Sequence, residues 1–245
     1  MRAFYDLLSS MRSRRQYDYY FFAFDSKSTY RKTVYNDYKA NRPSSSIANM
    51  SILSHHILLL CNAMGFCSVR LKGWEADDII TYIVMSNTNL SHTIWTSDKD
   101  LYQLLHQGKV NIVNRSHAIY KHNLLDYFPV SSHQVVEYLC LVGDSSDNIK
   151  GIKGVGKVRA SQMLHRYNSI DNIMKNLDDL RPSIAKSLQE GQDIIDDNRR
   201  CIDLLRFYST VQHECQIRLI AGQLSEINDD VVTKLLSLDI TSLSD

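Results

Sequence analysis

Residues 18–25 read Asp18-Tyr-Tyr-Phe-Phe-Ala-Phe-Asp25. A short, continuous apolar run closed by an acid suits a strand buried on both faces, as in a parallel sheet. Before it, residues 1–12 set Phe4, Leu7, Leu8 and Met11 on one helical face. After it, Pro43 and Ser44–Ser46 mark a loop, with Ser45 or Ser46 a candidate cap for a helix over about residues 47–63. Phe66–Leu71 reads as a second strand, and Gly73 precedes a helix from about Trp74 to Met85. His92–Trp95 reads as a third strand that again leads into acids, followed by a short helix at Asp100–Gln107 and a strand at Lys109–Val113. The alternation predicts an α/β fold with a central, mostly parallel sheet flanked by helices. Ligands of such sheets bind outside the carboxyl ends of the strands, so Asp25 and the acids at 75–78 and 98–100 are expected to converge there. From about residue 132 the character changes. Gln134–Val142 is helical, Gly143–Gly156 is rich in Gly, Ser and Asp, and the remainder is mostly helical. Two domains are expected, residues 1–131 and a smaller helical one over residues 132–245.

Composition narrows the class. The 245 residues are 44% hydrophobic and 22% charged, with three Pro and nine Gly, which fits a globular chain and excludes collagen-like or disordered readings. Apolar runs such as Ile57–Cys61 are too short to cross a bilayer core of about 30 Å. Residues 1–16 carry Arg2, Arg12, Arg14 and Arg15 without the apolar core of a signal peptide. The five cysteines are odd in number and include no CxxC, which argues against a zinc ribbon or a disulfide scaffold. An intracellular protein away from membranes is expected. The net charge of +1 says little, but its distribution is uneven. Acids gather at Glu75/Asp77/Asp78, Asp98/Asp100 and Asp144/Asp147, and cations at Lys27–Lys32, Lys39/Arg42 and Lys150–Arg159. An acidic pocket beside a basic surface suits an enzyme that holds divalent metal and grips a polyanion.

Singly, each acidic motif is ordinary. Asp25-Ser-Lys-Ser suits a turn, Glu75-Ala-Asp-Asp78 complements a helix dipole, and Asp98-Lys-Asp100 suits a cap with a first-turn acid. Brought together, each close pair would repel by roughly 4 kcal/mol at an effective dielectric of about 20, so ionisation would require cations. Hard oxygen donors without nearby His or Cys point to Mg²⁺ or Mn²⁺. Two such ions about 4 Å apart can generate a hydroxide and clamp the attacking and leaving oxygens of a phosphodiester. Gly151-Ile-Lys-Gly-Val-Gly156, followed by a helix at Lys157–Leu164, allows a tight turn whose N–H groups approach a phosphate. Lys150, Lys153, Lys157 and Arg159 add charge, and sequence-independent DNA binding is the reading preferred over a plain turn between helices. The order of glycines fits neither a Walker A loop nor a dinucleotide fingerprint. In Tyr35–Arg42, Tyr38 is a candidate to stack a base and Lys39 and Arg42 to hold phosphates, although a solvated loop fits the same residues equally well.

Six segments carry a family resemblance. They are Phe22-Ala-Phe-Asp25 with Ser28-Thr-Tyr-Arg31, Tyr38-Lys-Ala-Asn-Arg-Pro43, Trp74-Glu-Ala-Asp-Asp78, Thr96-Ser-Asp-Lys-Asp-Leu101, Gly143-Asp-Ser-Ser-Asp-Asn148 and Gly151-Ile-Lys-Gly-Val-Gly156. In this order they resemble the 5′-nuclease family: bacteriophage flap endonucleases and the 5′→3′ exonuclease domain of bacterial DNA polymerase I. The resemblance implies a PIN-like sheet domain and a C-terminal helical domain with a helix-hairpin-helix. It implies two-metal-ion hydrolysis, with Mg²⁺ or Mn²⁺, of phosphodiesters at 5′ ends or flaps of DNA. Asp25, Glu75, Asp77, Asp78, Asp98, Asp100, Asp144 and Asp147 would be the metal carboxylates, with Asp77, Lys39 and Arg42 catalytic. Arg31, Tyr38, Lys39, Arg42, Lys150, Lys153, Gly154, Gly156 and Lys157 would meet DNA, and Gly151, Val155 and Gly156 would hold K⁺. The implied partners are DNA with a 5′ end, flap or junction and also RNA–DNA hybrids, bound by a monomer in the cytoplasm of a bacterial or phage-infected cell.

The family opens on a strand ending in Asp, then Gly or another small residue and Asn. No stretch here matches, and Asp6 falls in a predicted helix. The expectation is that the recorded start is internal to a longer reading frame, because the other carboxylates are intact. The alternative is a non-cleaving accessory protein that binds branched DNA. A small PIN-type ribonuclease is a third reading, and the glycine-rich hairpin argues against it.

Overall fold

The computed structural model describes residues 1–26, 30–114, 117–212 and 222–237, with the backbone alone over 44–48. In chain order the helices are α1 (Arg2–Arg14), α2 (Tyr30–Val34), α3 (Ser44–Ala63), α4 (Ala76–Ser86), α5 (Val135–Val142), α6 (Lys157–Tyr167), α7 (Ile170–Lys175), α8 (Pro182–Glu190), α9 (Gln192–Ile202), α10 (Leu204–Val211) and α11 (Asp229–Ser237). The strands are β1 (Phe21–Ala23), β2 (Cys67–Val69), β3 (His92–Trp95), β4 (Val110–Asn114), β5 (His117–Ile119), β6 (Gly143–Asp144) and β7 (Ile149–Lys150). Two compact units divide the chain: residues 1–28, 42–79 and 213–245, and residues 29–41 and 80–212.

The first unit is built on the aromatic run. β1 pairs in parallel with β2, Phe21 opposite Cys67 and Ala23 opposite Val69. Phe66 packs edge-to-face with Tyr20 and Phe22, with ring centroids 5.5 Å and 5.3 Å away. Leu8 of α1, Leu60 and Met64 at the end of α3, and Val232 and Leu235 of α11 complete this core. Apolar side chains at helical spacing are what bring these helices onto the strands. Gly65 ends α3 at φ +78, and a Cβ there would run into the Ser225 carbonyl, so only glycine fits. The Arg12 Nη1 group donates to the Met64 carbonyl at 2.9 Å, closing α1 against the same helix end.

In the second unit β3 pairs in parallel with β4 in the register His92–Val110 to Trp95–Val113, and β4 pairs antiparallel with β5. A 3-10 helix over Asp100–His106 links β3 to β4 and buries Leu101, Leu104 and Leu105 completely. Helices α5 to α9 extend this core through Leu139, Leu141, Leu164, Ile173, Leu188 and Ile195. Asn198 of α9 is among the buried polar residues. Its buried amide donates to the carbonyls of Cys140 (3.0 Å) and Lys150 (2.8 Å), tying α9 to α5 and to β7.

The expected fold class needs correction. Among the described residues the strands do not assemble into a central, mostly parallel, PIN-like sheet. They form three small sheets, β1-β2, β3-β4-β5 and β6-β7, the second mixed and the third antiparallel, in a chain dominated by helix. The strands are only two to five residues long, too short to build the broad platform on which doubly wound folds rest. Among the described residues no helix is long and apolar enough to cross a membrane.

Candidate functional site

In the first unit Asp25 follows β1, and its Oδ1 accepts the N–H of Ala76, the first residue of α4, at 2.8 Å. Ser26 locks the same junction: its N–H and its hydroxyl both donate to the Trp74 carbonyl at 3.0 Å, and its Oγ accepts the N–H of Gly73 at 2.9 Å. Asp78 Oδ2 accepts the N–H of Glu75 at 2.8 Å, and both side chains are buried. Helix starts leave N–H groups without intrahelical partners, and Asp25 and Asp78 satisfy two of them. Asp77 sits half-buried in the first turn of α4, and Arg42 is exposed.

In the second unit the acids lie on two turns. After β3, Thr96 Oγ1 accepts the Asp98 N–H and Asp98 Oδ1 accepts the Asp100 N–H, each at 3.0 Å, which starts the 3-10 helix. At the end of β6, Asp144 Oδ1 accepts the N–H and the hydroxyl of Ser146 at 2.8 and 2.6 Å. Lys99 joins the turns: its Nζ lies 2.9 Å from Asp144 Oδ2. The carboxyl of Asp100 is pushed up to about 7, first by burial and then by the charges of Asp98 and Asp144, against the pull of Lys99 and with a further contribution from Asp147. Its Oδ1 is buried and accepts no hydrogen bond. Burial works against Asp144 too, but the Ser146 and Lys99 hydrogen bonds outweigh it and hold this carboxyl below the usual range. For Lys99, the Asp144 bond and the charges of Asp144, Asp100 and Asp98 likewise overcome burial and raise its pKa.

Asp147 is engaged from the other side. It accepts the Tyr38 hydroxyl at 3.0 Å, and Lys39 Nζ stands 3.7 Å from the same oxygen. Lys39 holds φ +55, and its N–H donates to the Asp147 carbonyl at 2.9 Å. Asn41 donates to the Ser145 carbonyl at 2.9 Å and Asn148 to the Asp37 carbonyl at 2.8 Å, so residues 37–41 are laced to residues 145–148. Tyr38 is 3% exposed, and Arg31, equally buried, gives its Nε to the Cys201 carbonyl at 2.8 Å.

The glycine-rich turn stands apart. Ile152 and Val155 are buried, while Lys150, Lys153, Gly154, Gly156 and Lys157 face solvent. Gly154 is left-handed at φ +78, and the Arg159 guanidinium donates to its carbonyl. Gly156 caps α6, and its carbonyl accepts the Ala160 N–H at 2.9 Å.

Of the expected carboxylates, the first unit carries Asp25, Glu75, Asp77 and Asp78, and the second carries Asp98, Asp100, Asp144 and Asp147. An all-oxygen donor set suits a hard divalent ion. The arrangement does not fit one: among the described residues no three of His, Cys, Asp and Glu group so as to hold a metal. The reason is visible side chain by side chain, since Asp144 is turned to Lys99 and Ser146, Asp147 to Tyr38 and Lys39, and Asp25 and Asp78 to backbone N–H groups. Sequence reading missed Lys99, whose signal was its place between two acids, and Asn198, which had none.

Two family descriptions match the chain: "5′-3′ exonuclease, N-terminal resolvase-like domain" over residues 1–132 and "5′-3′ exonuclease, C-terminal SAM fold" over residues 130–230. A DNA polymerase I of Caldicellulosiruptor bescii is 35% identical over 187 residues, 72% of this chain and 22% of the polymerase. A 5′-3′ exonuclease of Mycoplasma pneumoniae is 34% identical over 188 residues, 71% of this chain and 63% of that protein. The chain thus spans less than two thirds of either relative. Among solved structures, the T5 5′-exonuclease with bound zinc ions superposes with a TM-score of 0.74 at 20% identity, covering 100% of this chain and 91% of the other. A bacteriophage T5 flap endonuclease complex with DNA and metal ions gives 0.72 at 19% identity, covering 99% and 90%. At this identity the superpositions speak for the fold.

Proposed function

This chain belongs to the 5′-3′ exonuclease family, and from that premise we propose that it binds branched DNA, recognising 5′ ends, flaps and junctions without cutting them. One observation carries the reading. The acids that would have to gather around metal are instead engaged by Lys99, Ser146, Tyr38, Lys39 and the N-terminal turn of α4. The grip is assigned to the helical part, residues 132–245. Ile152 and Val155 anchor a turn that presents Lys150, Lys153 and Lys157 together with the N-terminus of α6. Lysines and free backbone N–H groups at a helix start hold phosphates whatever the base sequence. A K⁺ ion on the carbonyls of Gly151, Val155 and Gly156 would add to that grip. Lys39 and Arg42 are each assigned a contact to the DNA backbone. Tyr38 is read as orienting Asp147 through its hydroxyl. A monomer is proposed, with RNA–DNA hybrids as a further ligand.

A second reading, metal-dependent hydrolysis at the same ends, is favoured by the unpartnered Asp100 Oδ1 close to Asp98 and Asp144. One experiment separates the two. A labelled 5′-flap duplex is incubated with the full chain in Mg²⁺ and, in parallel, in EDTA. Binding in both and product in neither supports the proposal. Product in Mg²⁺ that disappears in EDTA, and with Asp77→Ala, would replace it with the nuclease reading.

A further inference from the structure

We propose that Lys99 is the built-in counter-charge of the second unit's acidic cluster, an ammonium occupying the place at Asp144 that a divalent ion would otherwise have to fill. Asp98, Asp100 and Asp144 come from two separate turns, and three carboxylates gathered without a cation repel one another. Lys99 answers this by position. The Asx-type turn at Asp98 makes Lys99 the residue before the 3-10 helix, and its side chain reaches Asp144 Oδ2 at 2.9 Å. Asp144 has no oxygen to spare, because Oδ1 already takes two bonds from Ser146. Its side chain is 8% exposed against 39% for Lys99, so the carboxylate is inside and the ammonium reaches in from the rim. Another lysine, Lys39, stands at Asp147. The cluster therefore folds on an internal cation, and added metal has to compete with it.

The test uses no DNA, so its outcome is independent of whether the chain binds or cuts. Thermal midpoints of the full chain are measured in EDTA and in Mg²⁺ for the parent, Lys99→Met, Lys99→Arg and the double variant Lys99→Met/Asp144→Asn. Mn²⁺ alone is titrated calorimetrically into the parent and Lys99→Met. Removing one partner strands a buried charge, so Lys99→Met should melt about 5 °C or more below the parent in EDTA. Mg²⁺ should restore most of that loss, and Mn²⁺ should bind Lys99→Met about tenfold tighter than the parent or better. Lys99→Arg should resemble the parent. The double variant should regain stability in EDTA, because the repelling charge has gone with its partner. Equal midpoints and equal Mn²⁺ affinity for Lys99→Met and the parent would overturn the proposal. So would a double variant no more stable than Lys99→Met, which would mean the lysine stem acts by packing. If Lys99→Met does not fold, the double variant decides on the same terms.

Discussion

Asp100 shows how far one side chain's chemistry is set by where the fold puts it. Its ordinary pKa is 3.8, and burial, helped by Asp98 and Asp144, pushes it up to about 7. Between those values the folded chain keeps a proton that the unfolded chain has released. Stability from this group is therefore present below pH 4 and is lost as pH rises towards 7, with nothing further lost above. Asp100→Asn cannot ionise and escapes the loss. Its stability relative to the parent should climb by about 4 kcal/mol across that window and then level off. Urea unfolding of both proteins at about pH 4.5 and about pH 8 checks this, and an equal difference at the two pH values would show that burial does not set the protonation of this acid. The sequence offered Asp98-Lys-Asp100 as a motif but could not rank its members. Asp98 is exposed and Asp100 has a buried oxygen because the side-chain turn at Asp98 ends where the 3-10 helix begins, and a turn of that kind leaves no periodicity to read.

Elements differ in how readily they could be read. The strand His92–Trp95 was expected with the bounds it has, and α5 begins within a residue of its expected start, because β-branched alternation and helical apolar spacing are local signals. β6 and β7 were not foreseen. They form across the Gly143–Gly151 approach, where two backbones need the absence of side chains, and that requirement joins residues from opposite ends of a loop. A Cβ on Gly151 would collide with the Val142 carbonyl, and one on Gly143 with the Gly151 backbone. Gly156, in the same motif, has φ −86 and open space around its Cβ position. The motif therefore contains glycines of two kinds. Gly151→Ala should cost about 3 kcal/mol, as forced overpacking against backbone does. Gly156→Ala should cost about 1 kcal/mol or less, the difference between a glycine and an alanine N-cap. Chemical denaturation of the two variants measures both, and equal losses would contradict the close approach of β6 and β7.

For the whole molecule, the alternation of strands and helices was read as one sheet because periodicity identifies a strand but carries nothing about its partner. Pairing is fixed by contacts distant in sequence, and here they select β1 with β2 and β3 with β4, leaving short separate ladders. The placement of charge was easier to read. With a net charge of +1 the molecule has no overall attraction for a polyanion, so binding has to come from a local concentration of cations. The glycine-rich turn supplies one, with Lys150, Lys153 and Lys157 exposed on a short segment. If these three neutralise one phosphate each, the logarithm of the binding constant should fall with the logarithm of salt concentration with a slope of roughly −3, about −0.9 for each contact. Lys153→Ala should reduce the magnitude of that slope by about one and weaken binding alike for unrelated duplex sequences, as loss of a backbone contact requires. Anisotropy titrations of a flap duplex from about 50 to about 300 mM salt give the slope directly. A Lys153→Ala line parallel to the parent's would remove this lysine from the interface and move the search for the grip to Lys39 and Arg42.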